Sequence, residues 1–186
     1  MKIKLSALMM LSLGIFLICL EACKKSITIG PTPANVDITW TVAGGKFTFR
    51  GLGKSGPLTI DSVMVPGKLD SFVKAKGYAL TDIVSCTINS VNARITTPSF
   101  QRFDKFSNMS VYLNAKGQSP LQVASLPNVP KNASQVDYSS FSSTDLRNYL
   151  TADSVRVTAN ATASDTIANS FKMDLTLRYK ITFKGQ

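Results

Sequence analysis

From Asn35 onwards, apolar and polar residues alternate with a period of two, the spacing of side chains on the two faces of a β-strand. Val36, Ile38, Trp40 and Val42 share one face, while Asp37, Thr39 and Thr41 take the other. Phe47 and Phe49 alternate with Lys46, Thr48 and Arg50. Val84, Cys86 and Ile88 hold one phase, and Val91, Ala93 and Ile95 hold the opposite one, so a bulge or bend near Asn89-Ser90 is expected. Met109, Val111 and Leu113 predict another strand, and Leu121 to Leu126 a further one. The longest run is C-terminal: Phe171, Met173, Leu175, Leu177, Tyr179, Ile181 and Phe183 alternate without a break against polar partners from Lys172 to Lys184. Such a run is a half-buried strand. It is expected to pair with Val155-Val157-Ala159-Ala161 through the loop Ser164 to Asn169.

Helical spacing is confined to two short stretches. Leu69, Phe72 and Val73 precede Gly77, which suits a helix C-terminus. Ser143 or Thr144 is placed to cap a turn carrying Leu146, Tyr149 and Leu150. Between strands, Pro127 to Ser143 reads as a long polar loop holding Tyr138 and Phe141. Many strands, polar turns at short intervals and only snippets of helix predict an all-β fold, an antiparallel β-sandwich of immunoglobulin-like or jelly-roll-like type with one or two short helices. Residues 35–186 are read as one such domain, long enough for a sizeable core.

The N-terminal segment has a different character. Met1-Lys2-Ile3-Lys4 is a short basic start, and an apolar run extends from Leu5 to Leu20. That run is shorter than the roughly 20 residues that span a bilayer as a helix, and it has the layout of a secretory signal. It ends in Leu20-Glu21-Ala22-Cys23. This resembles the lipobox of bacterial lipoproteins, in the looser form common in Bacteroidota. The resemblance covers the first 23 residues and implies cleavage between Ala22 and Cys23, diacylglycerol on the Cys23 sulfur and a further acyl chain on the new N-terminus. Residues 1–22 would then be a signal peptide. Each buried CH₂ contributes about 0.8 kcal/mol, so two or more acyl chains anchor stably where one binds marginally. Residues 23–34 form the lipidated Cys and a tether, whose Pro31, Pro33 and Gly30 disfavour regular structure. Residue 24 is Lys, not the Asp that retains many lipoproteins in an inner membrane, so the expected location is the outer membrane. The sequence Lys24-Lys25-Ser26 lacks the acidic run that marks surface display, which tilts the expectation towards the periplasmic face.

The chain has a formal charge of +10 and no His, and Glu21 is its only Glu. Of three Cys, Cys19 leaves with the signal and Cys23 takes lipid, so Cys86 has no disulfide partner. Its phase with Val84 and Ile88 makes it a small buried hydrophobe. Zinc sites draw on Cys, His and carboxylate, and calcium on clustered oxygens; one Cys and scattered Asp predict no metal and no cofactor. Catalysis without His or Glu would have to rest on Asp, Ser and Lys, so an enzyme is not expected. Gly51-Leu52-Gly53-Lys54-Ser55-Gly56 matches G-x-G-x-x-G, but a dinucleotide site needs a helix next, and Pro57-Leu58-Thr59-Ile60 continues as a strand.

Two surface features are candidate sites. Lys172, Arg178, Lys180 and Lys184 lie on the outward face of the last strand, with Arg156 on its expected neighbour. They suit contact with an anionic surface, lipid phosphates or an acidic glycan; the alternative is a solvated face that discourages edge-to-edge aggregation. Phe100, Phe103 and Phe106 recur every three residues in a polar stretch. They either plug one end of the core or, if exposed, form an apolar patch for a partner or lipid. Trp40 is read as core. Asp61-Ser62-Val63, Asp153-Ser154-Val155 and Asp165-Thr166-Ile167 resemble O-glycosylation sites of Bacteroidota.

The expected function is therefore a membrane-anchored lipoprotein acting as a non-enzymatic binding or structural accessory module of the cell envelope. Its partners would be the membrane through the lipid anchor and an envelope protein or glycan; no nucleic acid is expected, and oligomeric state stays open. The alternatives are a carrier holding a lipid or other apolar ligand between the sheets, and a hydrolase using Asp, Ser and Lys.

Overall fold

The computed structural model of the protein describes residues 33–50, 53 and 55–185. The expected signal peptide, Cys23 and nearly all of the tether lie outside the described residues, as do Gly51, Leu52 and Lys54 of the glycine-rich motif. From Ala34 the chain forms one compact unit. Its strands are β1 (Val36–Phe49), β2 (Gly56–Pro66), β3 (Ile83–Thr97), β4 (Phe106–Ala115), β5 (Leu121–Leu126), β6 (Gln135–Asp137), β7 (Ser140–Phe141), β8 (Ser154–Ala163) and β9 (Phe171–Phe183). Helix α1 (Leu69–Ala75) follows β2, and α2 (Arg147–Leu150) precedes β8.

All strand pairs are antiparallel, in a four-stranded sheet ordered β1-β9-β3-β6 and a five-stranded sheet ordered β2-β8-β4-β5-β7. Apart from the two-residue β7, this is the order of a jelly roll, in which early and late strands interleave and most connections pass from one sheet to the other. Among the described strands, only β4 and β5 are consecutive in the chain and adjacent in a sheet.

The alternation read from the sequence sets the core. Every inward residue of β9, from Phe171 to Phe183, is buried, and the register places Val36 to Phe49 of β1 along one side of it and Ile83 to Thr97 of β3 along the other. Bulges keep the long strands in phase. The one expected near Asn89-Ser90 is present between Ile88 and Ser90. A second, between Ile83 and Ser85, buries Ile83 and leaves Val84 40% exposed, so Val84 does not share the face of Cys86 and Ile88. A third sits at Gly44-Gly45, where the inward set changes from Trp40 and Val42 to Phe47 and Phe49. Gly45 has φ +117°, a backbone conformation that side chains other than glycine rarely adopt.

The expected hairpin of β8 and β9 is corrected. β8 pairs with β2 and β4, in the sheet opposite β9. The two apolar rows face each other across the core, and residues 164–170 arch over the roughly 10 Å between sheets. Ile167, the large apolar residue of that arch, is buried beneath it.

Both ends of the sandwich are closed by aromatic rings. At the end where β1 begins, Trp40 stacks on Phe72 of α1 at 5.2 Å and Tyr78 stacks on Phe183 at 4.2 Å. At the other end Phe49 stacks on Phe171 at 4.8 Å and meets Phe106 edge-on at 5.8 Å. Helix α1 ends as expected: Gly77 (φ +81°) donates to the Lys74 carbonyl and Tyr78 to that of Val73, a Schellman pair. At α2, Asp145 takes the capping role expected of Ser143 or Thr144, accepting from the Arg147 amide at 3.0 Å. The stretch 127–143 is not a plain polar loop. It carries β6 and β7, and Val129, Val136 and Tyr138 are buried.

Leu177 is fully buried at the centre of β9. Leu177→Asp is expected to unfold the domain, since an unpaired carboxylate in this position costs several kcal/mol or more. A cooperative thermal melt by circular dichroism within a few degrees of the parent would contradict the assigned inner face.

Candidate functional site

Since β9 lies between β1 and β3, its polar row becomes the midline of the four-stranded sheet's outer face. Register supplies the neighbours. Lys180 lies between Thr39 and Thr87, and Arg178 between Thr41 and Ser90. Thr176 faces Asn92, which in turn faces Asp137 of β6. Asp174 lies between Lys46 and Arg94, and Lys172 between Thr48 and Thr97. The face is thus a grid of hydroxyls and amides crossed by five cations and three carboxylates.

The carboxylates are largely engaged. Asp37 accepts from Lys180 Nζ at 2.8 Å and from the Thr182 hydroxyl at 2.6 Å, and these two contacts, Lys180 first, hold its carboxyl below the usual range. Asn92 Nδ2 donates to Asp137 Oδ1 at 2.8 Å and also to the Val136 carbonyl at 3.2 Å. Among the described residues, Lys46, Arg94, Lys172 and Arg178 take part in none of the ion pairs.

Two grooves cross this face. One, of about 340 Å³, is lined by Ser90, Asn92, Gln135, Asp137, Thr176 and Arg178. The other, of about 390 Å³, is lined by Lys46, Phe47, Thr48, Thr96, Thr97, Lys172 and Asp174. Each brings a cation, a carboxylate and several hydroxyl or amide groups within reach of one ligand.

The candidate residues from the sequence are thus partly regrouped. Lys172, Arg178 and Lys180 stand together on this face. Arg156 does not join them: it lies on β8 in the opposite sheet, where its guanidinium donates to the Ser62 hydroxyl at 3.2 Å. Lys184 lies beyond the end of β9, its amide donating to the Asp82 carbonyl at 2.8 Å. Lys46, Arg94, Asn92, Gln135 and Asp137 were not singled out from the sequence, because they become neighbours of Arg178 and Lys172 only once β1, β3 and β6 are known to flank β9. The phenylalanine triplet does not form an exposed patch. Phe103 and Phe106 are buried and Phe100 alone is exposed, at 70%.

Cys86 is buried, and burial first, with the negative charge of Asp145 second, pushes its thiol up to about 12. Its backbone is held by the α2 segment: Asp145 Oδ1 accepts from the Cys86 amide at 3.3 Å and the Leu146 amide donates to the Cys86 carbonyl at 2.7 Å. Asp145 pairs with Arg147 at 2.8 Å, and Arg147 also donates to the Ile83 carbonyl. These groups cover the edge of β3 that β6 does not reach. Among the described residues, no three of Cys and Asp gather as a metal-binding group.

No family model and no curated protein sequence matches the chain. Among solved structures it is similar to infectious bursal disease virus Gx strain, at 9% identity and TM-score 0.40, covering 81% of this chain. The chain spans about a third of that protein, 32% of its length. It is also similar to Triatoma virus (11% identity, TM-score 0.38, 88% of this chain and 72% of that one) and to Desmodium yellow mottle tymovirus (14%, 0.30, 84% and 90%).

A thiol with so raised a pKa is expected to stay inert. In the native protein Cys86 should react with Ellman's reagent at pH 8 far more slowly than in denaturant, where its pKa returns to about 8.5. Equal rates in the two conditions would show that the site is open.

Proposed function

We propose that the protein is a lipid-anchored lipoprotein of the bacterial outer membrane, and that its folded domain is a non-enzymatic binding or structural accessory module of the envelope. The observation that carries the anchor is Leu20-Glu21-Ala22-Cys23 directly behind an apolar run with a basic start. The module reading is supported by the domain itself. The buried hydrophobic residues form one cluster closed by aromatic rings at both ends, and the grooves of the candidate site open at the outer surface. A core packed in this way favours surface contact over carriage of an apolar ligand between the sheets. Lys24 and Lys25 favour the outer membrane and its periplasmic face, by the reasoning given for the sequence.

Intact mass of the membrane-purified protein tests the anchor. The expected mass is that of residues 23–186 plus a diacylglycerol and a further acyl chain. A mass equal to the whole chain, or to residues 23–186 without acyl groups, overturns the proposal. Cys23→Ala is expected to leave the membrane-bound mature form unmade while the fold, read by circular dichroism, is unchanged.

A further inference from the structure

Resting on the proposal of an envelope binding module, we infer that the outer face of the four-stranded sheet binds an acidic polysaccharide, a chain of sugars carrying carboxylates. Three properties of the face select this chemistry. First, the cations are spaced for a polymer. Arg178 and Lys172 belong to the two grooves and stand on the same side of one strand, six residues or about 20 Å apart at the usual rise. A repeating anion can meet both at once, whereas a small ligand reaches only one. Arg178 offers a guanidinium, whose paired N–H donors fit a carboxylate, and it has no acidic partner among the described residues.

Second, each groove also holds a carboxylate, Asp137 beside Arg178 and Asp174 beside Lys172. On a surface meant only for phosphate-rich lipid these would repel the ligand. Sugar hydroxyls, by contrast, can donate to a carboxylate while the sugar's own acid group takes the neighbouring cation. Asn92 holds Asp137 Oδ1, so one side of that carboxylate is fixed while Oδ2 remains for a donor.

Third, among the described residues the face presents no exposed aromatic ring, which disfavours a nucleic acid. The exposed aromatic residues among the large hydrophobics are Phe100, in the β3–β4 connection, and Phe141, on β7 of the other sheet. Among the described residues, bases therefore find no exposed ring to stack on at this face, and its exposed large apolar side chains are Val36 and Val84, one on β1 and one on β3.

The test is isothermal titration of full-length, detergent-solubilised protein with polygalacturonate, with neutral dextran and inorganic polyphosphate as comparison polymers. Polygalacturonate is expected to bind and dextran not to. Arg178→Ala and Lys172→Ala should each weaken binding roughly tenfold, the loss of one charged hydrogen-bonding group. Arg156→Ala, on the opposite sheet, should leave it unchanged. Asp137→Asn is the sharper variant. It makes the face more positive, yet it should weaken polygalacturonate binding severalfold. Thermal melts of each variant confirm folding. No binding of polygalacturonate, equal binding of dextran, tighter binding of polyphosphate, equal loss with Arg156→Ala, or a gain with Asp137→Asn each overturns the inference. The mass measurement on Cys23 does not involve this face, so the anchor and the glycan site stand or fall separately.

Discussion

The molecule depends on one strand being buried on its inner side and paired on both edges. β9 sets an unbroken apolar row against the opposite sheet while β1 and β3 take all its backbone partners. Each of those inward side chains contributes roughly 1.5–3 kcal/mol by leaving water, and each backbone pairing removes a polar group that could not be buried alone. Everything outward follows from this placement. The polar half of the same alternation is forced to the middle of a sheet face, and cations that would otherwise be spread along an edge are surrounded by the hydroxyls and amides of two neighbours.

Those neighbours explain the character of the candidate site. Threonine suits a strand because its branched side chain packs well on a pleated surface, and on this face it also presents a hydroxyl at nearly every step. Asp174 sits in register between Lys46 and Arg94, which tempers like-charge repulsion across strands. The opposite, five-stranded sheet carries Arg156, whose guanidinium donates to the Ser62 hydroxyl. The two faces of one sandwich therefore offer different chemistry to a partner.

Strand content was legible in the sequence because a period of two has no competing explanation over such long runs. Even the bulge near Asn89 could be read, since a phase slip leaves a mark in the apolar positions. Strand pairing was not legible. Val155 to Ala163 and Phe171 to Phe183 bury the same rows whether they lie side by side or face to face, so periodicity cannot tell a hairpin from an arch; buried Ile167 was the one local hint. That ambiguity misplaced Arg156 and concealed Arg94, Asn92 and Gln135, whose relation to Arg178 exists only through β3 and β6. For the phenylalanines, Phe103 and Phe106 could not be told from Phe100 by spacing, because Phe103 enters the core on a 3-10 turn and Phe106 on the first residue of β4.

The interleaved strand order also governs when this chain can acquire its shape. The first strand has its partner at the far end of the sequence, Val36 opposite Phe183, and β3 leans on the same late segment. A chain emerging from its N-terminus must hold β1 and β3 without the strand that joins them until nearly its last residues appear. Loop closure over such separations is slow. A polypeptide built this way cannot close its four-stranded sheet before residues 171–183 are made, so its rigidity arrives late and all together.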